Sequence, residues 1–244
     1  MDLWGITNTG KVRRQNQDVF KILYDEERNV AVLVVCDGMG GAKAGNVASS
    51  LAADAFMHFM GKYVENIGTQ NDIAVKMAEA VVEANKAVYK KSTENEEYYG
   101  MGTTLTAAIS TNDGEVVVNV GDSRLYHVTS YGITQITKDH SVVEDMIARG
   151  DLTRTEARRH PNRNLITKAL GTSREEHPDV FFLTLNIGEY ILLCSDGLSN
   201  VVLDSEILFE LQNGNSVRQC CERLVDMALS RGAPDNVTAV IFRK

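Results

Sequence analysis

Apolar positions along the chain fall into two kinds of run. Residues 30–36, Val-Ala-Val-Leu-Val-Val-Cys, are apolar without interruption and rich in β-branched side chains. The run is too short for an independent helix and predicts a buried strand. It gives way to Asp37-Gly38. Beyond the glycines, Val47, Leu51, Ala55, Phe56, Phe59, Met60 and Tyr63 recur at three- and four-residue spacing, as do Ile73, Met77, Val81, Val82, Val88 and Tyr89. Two long amphipathic helices are expected there. β-prone runs follow at 103–110, 115–120, 124–129 and 133–137, joined by Asn112-Asp113-Gly114, Gly121-Asp122-Ser123 and Ser130-Tyr131-Gly132. Connections this short predict antiparallel neighbours. Further helical patterns at 142–149, 204–211 and 217–229 alternate with strands at 180–185, 190–194 and 237–242.

Antiparallel strands that are apolar throughout need cover on both faces, and two sets of helices are available to give it. The pattern predicts an α+β fold, a β-sandwich of antiparallel sheets flanked by helices. With 244 residues, 43% hydrophobic and 24% charged, and only three prolines, the chain reads as one domain over 1–244 with no linker and no internal repeat. A net charge of −8, from 33 acidic and 25 basic side chains, disfavours nucleic acid and anionic lipid as partners. No apolar stretch approaches about 18 residues and no basic-then-apolar leader opens the chain, so a soluble, cytoplasmic protein without membrane insertion is expected, and a monomer. Cys36, Cys194, Cys220 and Cys221 form no C-x-x-C pair and are expected as buried free thiols.

Asp37 and Asp196 each follow an apolar strand, and Asp122 lies in a tight turn. Carboxylates gathered where strands leave a core repel one another unless protons or cations compensate. None of the five histidines lies at ligand spacing from another, so the donors would be oxygen, favouring Mg²⁺ or Mn²⁺ over Zn²⁺. Asp-Gly pairs are also ordinary turn formers, and these positions taken singly leave both readings open. The glycines after Asp37 match neither phosphate-loop pattern: Ala44 stands where a hydroxyl would hold Mg²⁺, and Lys43 where a dinucleotide fingerprint has its third glycine. Ser123, Ser141 and Ser195 read as turn or capping residues, and His140 as a packing residue beside a helix N-cap.

The chain resembles the metal-dependent Ser/Thr protein phosphatases of type 2C, in their compact bacterial form. The resemblance is carried by Gly10-Lys11-Val12-Arg13-Arg14-Gln15-Asn16-Gln17-Asp18, Asp37-Gly38-Met39-Gly40-Gly41, Gly102-Thr103-Thr104, Gly121-Asp122-Ser123-Arg124, Asp139-His140-Ser141, Ser195-Asp196-Gly197-Leu198 and Asp235-Asn236-Val237-Thr238, in the family's order over nearly the whole chain. It implies a four-layer α-β-β-α sandwich and hydrolysis of phosphoserine and phosphothreonine on proteins by a metal-activated water. Asp37 would bridge two Mg²⁺ or Mn²⁺ ions, the Gly38 carbonyl would bind the second, and Asp196 and Asp235 would complete the first. Asp18 would support the pair through water, and Asp122 with Asp196 would hold a third ion. Arg13 would grip the substrate phosphate, Asn236 would support the first metal, and residues 144–170 would form a mobile flap. The implied partners are phosphorylated proteins, a Ser/Thr protein kinase among them, which the enzyme would oppose.

Two positions depart from the family. Ala42 stands where many relatives have the histidine that protonates the leaving oxygen, and Gln17 where some have a glutamate. Without that histidine, leaving-group protonation is expected to limit phosphoserine turnover more than aryl phosphate turnover. A catalytically weak phosphoprotein-binding relative and a structural Ca²⁺-binding module are the competing readings.

Overall fold

The computed structural model describes residues 2–94 and 96–244, with the backbone alone at 41–43. The Ala42 and Lys43 side chains, and with them the expectation about a missing proton donor, therefore lie outside the described residues. The strands are β1 (Asp2–Asn8), β2 (Asp18–Asp25), β3 (Val30–Met39), β4 (Gly102–Thr103), β5 (Leu105–Thr111), β6 (Gly114–Val120), β7 (Arg124–Val128), β8 (Ile133–Gln135), β9 (Asp179–Leu183), β10 (Tyr190–Cys194) and β11 (Val237–Arg243). One sheet runs β1-β11-β10-β7-β8 and the other β2-β3-β5-β6-β9, with β4 paired to β3. Every pairing between these strands is antiparallel. The helices are α1 (Gly41–Tyr63), α2 (Gln70–Glu94), α3 (Val142–Arg149), α4 (Arg154–Ala157), α5 (Asp196–Ser199), α6 (Asp204–Asn213) and α7 (Val217–Ser230).

The uninterrupted apolar run of β3 has a simple cause. Side chains alternate across a strand, so Val30, Val32, Val34 and Cys36 pack with Phe56, Met60, Met77 and Val81 of α1 and α2. The intervening Ala31, Leu33 and Val35 pack with Ile191, Leu193, Val240 and Phe242 of the facing sheet. On the far side, Leu192, Cys194, Ala239 and Ile241 meet Leu211 of α6 and Val217 and Leu224 of α7. Three apolar layers thus separate four layers of secondary structure in α-β-β-α order, as the patterning and the resemblance implied. All four cysteines are buried and free, and burial pushes the Cys194 thiol up to about 12. A thiol titration is expected to find no fast-reacting cysteine in the native protein and all four in denaturant. Rapid labelling of the native state would contradict the packing.

Three features differ from the sequence pattern. β1 and β2 were not anticipated: each is an edge strand with most positions half-exposed, so neither shows a clean apolar signal. β3 does not stop at Asp37-Gly38 but continues to Met39, where Gly38 and Met39 pair with Thr103 and Gly102. The turn at Gly121-Asp122-Ser123 makes no hairpin, because β6 lies in one sheet and β7 in the other. Gly121, at φ +108°, donates its N–H to His140 Nδ1 at 3.1 Å. The Asn119 amide donates to the Gly121 and Lys138 carbonyls, each at 3.2 Å. These bonds draw the chain across the sandwich instead of back along its own sheet, and they carry Asp122 to the sandwich end where β3 and β10 finish.

Candidate active site

Asp37 is cross-strand partner to Asp18 in the β2–β3 register, and its peptide is clamped from both sides. Its N–H donates to Thr104 Oγ1 at 2.9 Å, and its carbonyl accepts from Thr103 Oγ1 and the Thr104 N–H, each at 2.9 Å. Gly38 follows with its N–H on the Gln17 carbonyl at 3.1 Å. Asp196 opens α5 directly after β10, and its Oδ2 accepts from Asn200 Nδ2 at 3.0 Å. Asp235 precedes β11 and accepts from the Asn236 N–H at 2.9 Å. A cleft of about 680 Å³ is lined by Arg13, Arg14, Asp37, Gly38, Asp122, Asp196 and Asp235. Asp18 is buried behind it.

The electrostatics of this cluster follow from its crowding. Burial first, then the neighbouring carboxylates Asp18, Asp196, Asp122 and Asp235, hold the Asp37 carboxyl well above the usual range. Asp122 is likewise raised by burial, Asp196 and Asp139. Asp196 is pushed up to about 6 by burial and Asp235, against the lowering effect of a hydrogen bond with Asp37. Asp18 is pushed up to about 7 by burial, although its Oδ2 accepts from Ser195 Oγ and Thr238 Oγ1, each at 2.7 Å. The other oxygen of Asp18 and Oδ1 of Asp196 are buried without a hydrogen-bond partner. Buried carboxylate oxygens left unpaired cost free energy unless something positive meets them.

Among the described residues, no three His, Cys, Asp or Glu side chains stand together as a ready-made ion cage. The carboxylates are turned to other partners: Asp196 Oδ2 to Asn200, and Asp235 to Arg13, whose Nη2 lies 2.7 Å from Oδ2. The donor set itself fits a hard divalent cation. It is all oxygen, it gathers at one cleft, it holds two unpaired buried oxygens, and each carboxylate disfavours ionisation of the next.

The supporting residues serve the loops more than the carboxylates. Asn236 donates through Nδ2 to the Thr9 and Gln15 carbonyls at 2.9 and 3.0 Å and accepts the Gln17 N–H at 2.8 Å. It staples the segment carrying Arg13 to the loop carrying Asp235. An Asn236→Ala variant is expected to lose about 2 kcal/mol of stability, because three backbone groups, those of Thr9 and Gln17 on half-buried residues, lose their partner. It should also become sensitive to proteolysis near residues 10–17; a variant as resistant as the parent would refute the staple. His140 accepts from Gly121 through Nδ1 and pairs through Nε2 with Asp179 at 3.1 Å, so it packs against and fixes the Asp122 turn. Ser141 caps α3 by accepting the Glu144 N–H at 3.2 Å. Residues 144–170 return to the body through bridges from Ser141 to Ile166 and from Thr103 to Leu170, and Asn164 and Ile166 of this segment line the cleft. The sequence pattern assigned no task to Thr103 and Thr104, nor to Arg124, which grips Asp139 behind Asp122 with Nη2 at 2.7 Å. The cue was slight: two adjacent hydroxyls just before a β-prone run that carries further hydroxyls at Thr106 and Ser110.

Comparison with known proteins shows the family and the fold. Residues 10–238 match the family described as Protein phosphatase 2C. Serine/threonine phosphatase stp of Listeria monocytogenes is 32% identical over 98% of this chain and 94% of its own length. The crystal structure of serine/threonine phosphatase Stp1 from Staphylococcus aureus superposes with a TM-score of 0.92 at 38% identity, covering 99% of this chain and 94% of that one. The catalytic domain of serine threonine protein phosphatase PstP in complex with two manganese ions gives a TM-score of 0.84 at 34% identity, over 98% and 96% of the two chains.

Proposed function

This chain belongs to the protein phosphatase 2C family and is a serine/threonine protein phosphatase, and from that premise we propose that it works at the cleft carboxylates with two divalent cations. Asp37, the Gly38 carbonyl, Asp196 and Asp235 would hold the pair, Mg²⁺ or Mn²⁺. Asp18 would support them from behind, and Asp122 with Asp196 would take a third. The observation that carries the proposal is the convergence of buried, mutually repelling carboxylates with two unpaired oxygens at one cleft. When bound, such cations supply the positive charge this cluster lacks and a water acidic enough to attack phosphorus near neutral pH.

The chain's own residues do the positioning. The Thr103 and Thr104 clamps fix the Asp37 backbone, so its carboxylate is presented at little conformational cost. Arg13 reaches the cleft on a loop with its side chain 54% exposed. Its planar fork suits phosphate oxygens, onto which charge spreads as the ester bond breaks, and Asp235 keeps it aimed at the cluster until substrate arrives. No serine nucleophile is required: Ser195 Oγ is committed to Asp18 and to the Thr238 N–H at 3.0 Å. His140 does not stand in as proton donor, since its Nδ1 is engaged by the Gly121 N–H and its Nε2 by Asp179. The segment 144–170, through Asn164 and Ile166, would act as a flap that shapes access. The substrates would be phosphoproteins, a Ser/Thr kinase among them, met by a monomer.

Phosphate release from a phosphothreonine peptide tests this. The protein stripped with EDTA should be inactive, and Mn²⁺ should restore turnover. Turnover that ignores EDTA, or none with any divalent cation, would overturn it.

A further inference from the structure

The cleft does not end at the carboxylates. It continues beyond Asp196 and Asp235 into a cavity of about 390 Å³ whose lining includes the apolar Val12, Val201 and Pro234. Val12 precedes the phosphate-directed Arg13 and is 68% exposed, an apolar side chain left in solvent at the edge of a polar site. Arg13, Asp196 and Asp235 belong to both the cleft and this cavity, so the two are one continuous groove. We infer that the cavity is a subsite for an apolar side chain of the phosphoprotein substrate, two residues from the phosphorylated serine or threonine. The inference rests on the phosphatase reading above.

Alternation sets the position of that side chain. Along an extended peptide, residues two apart point the same way and lie about 6.6 Å from each other. When the phosphorylated side chain enters the carboxylate cluster, its second neighbour therefore faces the adjoining part of the groove. Charge sets its character. A charged side chain of either sign would give up water beside the apolar Val12, Val201 and Pro234, and among Arg13, Arg163, Asp196 and Asp235 it would meet groups of both signs, so attraction and repulsion offset while the desolvation cost stays. An aliphatic side chain has no charge to desolvate and covers Val12, Val201 and Pro234 from water.

The test compares phosphothreonine peptides carrying Leu, Ala, Glu or Lys two residues before or two residues after the phosphothreonine. With Mn²⁺ present, kcat/KM is expected to be about 4–12-fold higher for Leu than for Ala at one of the two positions, the range for half-burying one aliphatic side chain. Glu and Lys should fall below Ala at that same position. Val12→Ser, a change at an exposed loop position that leaves the core untouched, should cut the Leu preference to about 2-fold or less. Val201→Ser should do the same. Hydrolysis of para-nitrophenyl phosphate by the wild-type protein separates the two readings. Equal rates for all peptides alongside normal para-nitrophenyl phosphate turnover would overturn the subsite alone, as would a Leu preference that survives both variants. Failure to hydrolyse either class of substrate would overturn the phosphatase reading beneath it.

Discussion

An Asp37→Asn variant should lose roughly three orders of magnitude or more in phosphate release while remaining folded, and should melt higher than the wild type when both are stripped of metal. The loss follows from what the position does. Asparagine keeps the shape of the side chain but removes the negative charge on which two cations would converge, and few other donors reach the same point. Folding survives because the clamps from Thr103 and Thr104 fall on the Asp37 backbone, which the substitution leaves intact. The gain in stability follows from crowding. The fold raises the Asp37, Asp122, Asp196 and Asp18 carboxyls, so the folded state binds more protons than the unfolded one. Without metal, stability should therefore fall as pH rises from the ordinary carboxylate range through about 6 and about 7, the values reached by Asp196 and Asp18. Removing one charge from the cluster relieves part of that penalty. At pH 8 the stripped variant is expected to melt about 2–8 °C above the stripped wild type, for roughly 1–2 kcal/mol regained in a chain of this size. Adding Mn²⁺ should reverse the order, raising the wild type more than the variant. Calorimetry with and without EDTA measures both, and a stripped variant that melts lower would show that Asp37 is not a site of stored repulsion.

How far the sequence spoke depended on whether the forces at a position are local. β3 was legible because a strand covered on both faces is apolar at nearly every position, and β5 and β6 because their β-prone runs are bounded by turn residues, although they bury Thr106, Ser110, Glu115 and Asn119. β1 and β2 were silent because an edge strand with half-exposed positions resembles a loop. The Gly121-Asp122-Ser123 turn misled because its residues suit a hairpin, whereas its path is set by Asn119 and by His140, 19 residues further on. The same division runs through the site. Strand-end aspartates were visible as a chemical type. The hydroxyls that meet Asp18 come from Ser195 and Thr238, at separations of 177 and 220 residues, and no spacing rule reaches that far. The grouping of Arg13, Asp18 and Asp235 with Asp37 came from family resemblance, and the structure brings them to one cleft and its rear wall. The double grip of Asn236 on the Arg13 segment was visible in neither.

Gly38→Ala should damage the protein more broadly than the loss of any one carboxylate, though it adds only a methyl group. Gly38 lies where β3 hands over to α1, and that helix passes so close that an added Cβ would sit 2.1 Å from the Gly45 carbonyl oxygen and 2.8 Å from that of Gln17. Both obstacles are backbone, so no side-chain rotation relieves the clash. Either α1 withdraws from the strand end or β3 shifts in register against β4. Withdrawal opens the layer where Ala44 and Ala48 pack against the sheet. A shift of β3 breaks the Thr104 clamp on Asp37 and moves the Gly38 carbonyl proposed as a metal ligand. Overpacking against fixed backbone costs about 3 kcal/mol, which in a domain of this size lowers the melting midpoint by roughly 6–12 °C. Phosphatase activity at a temperature where the variant is still folded should fall at least about 100-fold, since displacements near 1 Å at a preorganised site cost that much. Activity and stability should therefore fail together here, whereas in Asp37→Asn they part. A Gly38→Ala protein that is fully active, or one that is inactive with an unchanged midpoint, would show that the close approach of α1 does not hold the site in place.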